Sequence, residues 1–321
     1  MSNSADGGRY RPAPAASIRK GTITLELVKI HGHTYYIPGA TNTGVFTTKS
    51  GYCVLIDSGI NNTVAHKISK VLAEKGLKPR YLLTTHGHAD HFGAHNLLKE
   101  LYPGLEILAS PGEKVYMENN LQATTTLYGA VPYDEIKVPL LFARSTAVDI
   151  TITPGPLKLL DQHLEAIATP GHTAGHLAFL TPDGVLFSGD AVFDQGILAK
   201  YPLPFLLDIK AELATLEVIA GLEIKYLLPA HGQEVITEVE PVLEANRRQI
   251  ANCLDIIVEL LSQPLTREDL LAQVAILEDI TMDIPQYFLN LSSLSAFLSY
   301  LKDEGRISCS VENGKLYFFA I

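Results

Sequence analysis

The run His86-Gly87-His88-Ala89-Asp90-His91 constrains this chain more than any other feature. It sets four metal-ligating side chains within six residues, directly behind the apolar run Tyr81-Leu82-Leu83. Imidazole and carboxylate together suit zinc, iron or manganese, and the lack of cysteine argues against a soft thiolate site. Side chains alternate along extended backbone, so His86 and His88 can face one ion. Asp90 and His91 fall where the chain turns and can serve a second.

Three later segments fit the same constellation. Thr169-Pro170-Gly171-His172-Thr173-Ala174-Gly175-His176 is a glycine-rich turn behind the apolar run 164–168. Leu186-Phe187-Ser188-Gly189-Asp190 reads as a strand ending on a carboxylate, and Leu227-Leu228-Pro229-Ala230-His231-Gly232 as a short strand ending on a histidine. Each delivers one ligand from a buried strand, as expected when several strands share one sheet edge as an active-site rim.

In this order, behind His-x-His-x-Asp-His, the motifs resemble the metallo-β-lactamase-fold hydrolase superfamily over about residues 24 to 236. The resemblance implies an α/β (α+β) fold, a four-layer αβ/βα sandwich with two metals at the edge where the sheets meet. It implies that His86, His88 and His172 hold the first metal, that Asp90, His91 and His231 hold the second, and that Asp190 bridges them. Asp57 matches the family's early aspartate, which orients a ligand histidine through its free ring nitrogen; the residue-level alternative is an Asx turn before Gly59. His176 matches a motif position that supports the ligands from behind, with plain packing as its alternative.

The chemistry follows from such ligands. Two divalent cations sharing Asp190 would share a water, lower its pKa towards neutrality and supply a hydroxide nucleophile. The same ions polarise a carbonyl or phosphoryl oxygen. Asp90 is the catalytic candidate, binding metal while accepting a hydrogen bond from the nucleophile. Ser58 and Ser188 lack the setting of a nucleophile elbow and read as turn residues.

Composition narrows the class. A chain of 321 residues with 47% hydrophobic content can fill a large core and leaves room for about two domains. Cys53, Cys253 and Cys309 are odd in number and widely spaced, which argues against a secreted disulfide framework and for a cytoplasmic enzyme. No apolar run approaches the roughly 20 residues of a spanning helix, so no membrane partner is expected. The net charge of −10 disfavours a broad surface for polyanions.

Residues 1–20, rich in Ser, Ala, Gly and Pro, read as a loosely held tail, 21–239 as the catalytic domain and 240–321 as a smaller C-terminal domain. Strands are expected over 23–30, 35–38, 45–48, 53–57 and 106–109, and helices over 62–75, 95–101 and 211–221. Two stretches lack clear periodicity and are candidate substrate-facing loops. One, 116–148, holds Tyr128, Tyr133, Phe142 and Arg144; the other, 193–208, holds Lys200, Tyr201 and Phe205.

In the last third, helices over 240–262, from the capping Thr266 of Thr266-Arg267-Glu268-Asp269, and over 291–302 precede strands over 306–311 and 315–320 around Asn313-Gly314, a strong hairpin signal. Three helices and a hairpin resemble the winged helix appended to the lactamase-like-2 branch of the superfamily. Yet 241–321 carries six Lys/Arg against eleven Asp/Glu, and a groove-reading helix should be basic. The domain is therefore read as a packing or dimerisation module, with a homodimer as a candidate assembly.

The expected function is a dinuclear metal-dependent hydrolase, zinc first with iron or manganese as alternatives, acting on a small ester, thioester or lactone. An aspartate at 190 departs from the zinc β-lactamases, and the basic C-terminal helices of glyoxalase II are missing. The competing readings are an endoribonuclease acting on single-stranded RNA, a mono-iron persulfide dioxygenase-like enzyme, and a non-enzymatic binding module on the same fold.

Overall fold

The computed structural model describes residues 26–232 and 234–321. The expected tail over 1–20 and the first part of the strand expected over 23–30 lie outside the described residues.

The chain opens as an antiparallel meander, β1 (Val28–His31), β2 (Thr34–Ile37), β3 (Thr43–Thr47) and β4 (Tyr52–Ile56). Helix α1 (Asn62–Glu74), capped by the Asn61 side chain, then crosses over to β5 (Lys78–Leu83), parallel to β4. After α2 (Ala89–Phe92) and α3 (His95–Leu101), β6 (Glu106–Ala109) continues the parallel half. Helices α4 (Pro111–Glu118) and α5 (Gln122–Tyr128) and a 3-10 turn, Asp134–Ile136, precede the short β7 (Ile150–Thr151), which completes a seven-stranded sheet.

The second sheet has the order β12-β11-β10-β9-β8. Its strands are β8 (Gly155–Leu159), β9 (Gln162–Ala168), β10 (Leu177–Leu180), β11 (Val185–Gly189) and β12 (Tyr226–Pro229), with α6 (Gln195–Lys200) and α7 (Ile209–Ala220) between the last two. Asp194 and Asp208 cap these helices through their side chains.

Period-two alternation makes this a sandwich. Along β4, Val54 and Ile56 point to the space between the sheets, while Cys53 and Leu55 point to α1 and α3. Along β11, Val185 and Phe187 face the first sheet, and Leu186 faces the opposite helices. Both sheets are thus apolar on both faces, and each outer face is covered by helices: the helix/sheet/sheet/helix layering expected.

The C-terminal third comprises α8 (Val239–Leu260), β13 (Leu265–Thr266), α9 (Arg267–Leu277), α10 (Ile284–Asp303), β14 (Ile307–Glu312) and β15 (Lys315–Ala320). Its small sheet has the order β13-β15-β14, with the hairpin turning at Asn313-Gly314, both at positive φ. Its core is not separate. Leu243, Ile250, Leu254 and Ile257 of α8 join Leu216 and Ile219 of α7, the outer face of the second sheet, and Phe297 and Leu301 of α10 in one continuous cluster.

Helix α10 begins well before the expected 291, because Asp283 and Gln286 form a capping box with Pro285 in the first turn. The two aperiodic stretches contain α5 and α6, helices of seven and six residues, too short to show a period.

Candidate metal centre

The ligand segments meet at one sheet edge. β5 delivers the loop that begins at Thr84, and α2 starts at Ala89 with His88 at its N-cap, so a short extended stretch and one helical turn carry His86, His88, Asp90 and His91. β9 runs into the turn that bears His172, β11 ends at Gly189 before Asp190, and β12 ends at Pro229 before His231.

Two groups form. In the first, His88 Nδ1 lies 2.9 Å from both His86 Nε2 and His172 Nε2. The Thr85 hydroxyl donates to Asp57 at 2.8 Å, so its oxygen accepts from His86 Nδ1–H at 3.0 Å. His172 Nδ1–H donates to the Phe205 carbonyl at 2.8 Å. Both rings therefore turn Nε2 lone pairs inward, and one proton on His88 cannot satisfy both; a cation between them can. Burial, with the neighbouring His172, holds His88 down at about 3, so it is a neutral imidazole ready to ligate.

In the second group, His231 Nε2 is 3.3 Å and His91 Nε2 3.8 Å from Asp90 Oδ2. Burial opposes charge on both rings, yet the carboxylates of Asp190 and Asp90 outweigh it. They lift His91, with help from Asp57, to about 10, and His231 to about 12. A cluster that raises imidazoles this far is a site of strong negative potential. Its donor set, two histidines and aspartate, suits a divalent cation. His91 Nε2 and Asp190 Oδ1 are moreover buried without a hydrogen-bond partner, as atoms reserved for a metal would be.

Asp190 stands between the groups. Its Oδ2 is 3.4 Å from His172 Nε2 and 4.0 Å from His86 Nε2, and its Oδ1 is 3.5 Å from both His91 Nε2 and His231 Nε2. His176 accepts the Asp190 backbone N–H at Nε2, 3.2 Å, while its Nδ1 meets Thr169 Oγ1 at 2.7 Å. Both ring nitrogens are thus engaged in holding the Asp190 turn.

Asp57 accepts from Thr85 N–H at 2.9 Å and from His91 Nδ1 at 2.9 Å, in left-handed backbone at φ 56° that Asp tolerates better than most residues. We expect Asp57→Asn to weaken metal binding at the second group about 10–100-fold with little change in fold. An amide that keeps Thr85 presents N–H to His91, which forces the tautomer with Nε2 protonated. Stepwise zinc titration checks this; unchanged affinity refutes it.

The candidate substrate residues lie apart. Tyr128 stacks edge-on with Tyr133 and with Phe288 of α10 at 5.5 and 5.4 Å, Arg144 pairs with Glu100, and Lys200 lies over the Tyr201 ring at 4.8 Å. Among the described residues, none of these five hydrogen-bonds, ion-pairs or stacks with a member of the two groups. Two phenylalanines of the second stretch do: Phe205, with ring centroids 5.5 Å from His88 and 5.4 Å from His172, and Phe193, 6.1 Å from His172. Asn42, not singled out in the sequence, donates to the carbonyls of Pro229 and Gly232 at 3.1 Å and so shapes the His231 turn. No motif announces it, because β3 and β12 meet only in the fold.

The family model of the Metallo-beta-lactamase superfamily matches residues 36–231. A probable metallo-hydrolase of Bacillus subtilis, YqgX, is 30% identical over 201 residues, 60% of this chain and 87% of its own length. A hydroxyacylglutathione hydrolase of Mesorhizobium japonicum is 32% identical over 154 residues, 47% of this chain and 48% of its own. The chain thus spans about half the length of that relative. Among solved structures, the metallo-beta-lactamase family protein TTHA1429 of Thermus thermophilus superposes with TM-score 0.70 at 20% identity, covering 92% of this chain and 98% of its own. No described helix is long and apolar enough to cross a membrane.

Proposed function

This chain belongs to the metallo-beta-lactamase superfamily and is a metal-dependent hydrolase, and on that premise we propose that it uses two metals to hydrolyse a small ester, thioester or lactone. The observation that carries the proposal is Asp190, whose two carboxylate oxygens face different groups. His86, His88 and His172 would hold one ion, Asp90, His91 and His231 the other, and Asp190 both. When bound, the ions would acidify a water and polarise the substrate carbonyl.

The chain's own groups do the rest. Asp90 is the more exposed of the two cluster aspartates and the one placed to accept a proton or hydrogen bond from the attacking oxygen. Asp57, Thr85 and the Phe205 carbonyl hold His91, His86 and His172 in tautomers that keep Nε2 free. The Phe205 ring, against His88 and His172, gives the first group an apolar flank that excludes water and fits an acyl chain. Residues 240–321 are read as a winged-helix-like packing domain that covers the second sheet. Hydrolysis of relatives' substrates such as hydroxyacylglutathione belongs to the same thioester class and is one member to test.

The test is metal content of freshly purified protein, paired with a panel of thioesters, lactones and single-stranded RNA. About two ions with ester-type turnover is expected from the two-metal reading. RNA cleavage alone, or a single iron with sulfur-oxidising activity, would overturn it.

A further inference from the structure

Helix α4 carries a carboxylate that the metal groups do not include. Glu113 is 1% exposed. Its Oε2 accepts the Gly87 N–H at 2.7 Å, and its Oε1 accepts the Thr173 hydroxyl at 2.7 Å and the Gly175 N–H at 3.0 Å. Gly87 lies between His86 and His88, and Thr173 directly follows His172. One side chain therefore ties together the two loops, distant in sequence, that supply all three histidines of the first group. Its hydrogen bonds reach neither the α2 turn that carries Asp90 and His91 nor the turn that carries His231.

We propose that Glu113 is a positioning residue that sets the gap between these loops and thereby tunes the first metal group independently of the second. The inference rests on the two-group reading of the metal centre.

Three observations support it. Among the described residues no Lys or Arg pairs with Glu113, so three hydrogen bonds hold a buried acid that ordinary packing would not favour. The loops are built around it: a Cβ on Gly87 would lie 3.1 Å from Oε2 and 2.7 Å from Tyr116 Cβ, and one on Gly175 2.8 Å from Oε1. All three partners are donors, so only a group with acceptors at both ends serves. A glutamine in either orientation turns its NH2 towards a backbone N–H, at Gly87 or at Gly175.

The experiment is stepwise Zn2+ affinity by chelator competition on the full chain, with His88→Ala and His231→Ala marking which step belongs to which group. Glu113→Gln is expected to weaken the His88-dependent step about 10–100-fold and to leave the His231-dependent step within about twofold. Thr173→Val removes one donor and keeps the charge, so it falls between wild type and Glu113→Gln, and it carries the test if the latter does not fold. In metal-free protein, hydrogen exchange at the Gly87 and Gly175 amides should speed up in Glu113→Gln while that at His91 and Phe92 does not. Equal loss at both steps, as a general stability staple would produce, overturns the proposal, as does no change at either. Fewer than two ions in the wild type would sink the two-metal reading, and Glu113 would then be judged on the His88-dependent ion and the amide exchange.

Discussion

Asp190→Ala is expected to cut turnover by about 10³-fold or more, on the scale seen when one member of a unit that acts together is removed. The reason is that Asp190 is shared. Its Oδ2 faces His172 and His86, and its Oδ1 faces His91 and His231, so a single truncation removes the oxygen that faces each group. It also leaves the histidines of the second group without the carboxylate that contributes most to their charge balance. On the proposed two-metal reading, bound metal should fall from about two per chain towards one or none. Asp190→Asn would be less informative, because an amide oxygen can still ligate. Full activity with both metals retained in Asp190→Ala would refute the bridging role.

Truncation after residue 239 is the second large effect, and we expect the shortened chain to be insoluble. Helix α8 alone buries Leu243, Ile250, Leu254 and Ile257 in the core that it shares with α7, the outer face of the second sheet and the helices that follow it. At roughly 1.5–3 kcal/mol for each buried Leu or Ile, those four contribute about 6–12 kcal/mol, comparable to the whole net stability of about 5–15 kcal/mol. The loss also reaches the metal centre, because Asn246 accepts the Phe193 N–H at 3.1 Å and donates to the Phe193 carbonyl at 2.8 Å, three residues beyond Asp190. Soluble fraction and metal content of the truncated chain check this. A soluble fragment with unaltered melting and metal content would show that the shared core contributes little.

Much of the proposed centre was legible because its residues cluster in sequence or end apolar strands. His86, His88, Asp90 and His91 sit in one motif, and Asp190 and His231 each close a run that reads as a buried strand. The loops flanking the site were another matter. An aperiodic stretch gives no side-chain direction: of the candidate loop 193–208 the structure sets Phe205 and Phe193 against the histidines, while Tyr128 and Arg144 of 116–148 contact Phe288 and Glu100. Glu113 was hidden for a specific reason. Ser110-Pro111-Gly112-Glu113 has the spacing of a capping box, and Ser110 does accept the Glu113 N–H at 3.2 Å. The Glu113 carboxylate, however, is engaged by two distant loops rather than by its own helix terminus.

The sequence by itself determined the ligand chemistry, the alternation that makes two sheets apolar on both faces, and the chain order of the strand ends that carry the site. These are local properties: a side chain's donor atoms and the two-residue period of a strand do not depend on what packs against them. Tertiary structure alone decided which oxygen of Asp190 faces which group, that the Thr85 hydroxyl, held by Asp57, and the Phe205 carbonyl meet His86 and His172, that Glu113 joins two loops, and that the C-terminal helices complete an existing core instead of forming their own. Each of those rests on a contact between segments tens of residues apart or more, and its geometry exists only once the sheets have closed on each other and excluded water.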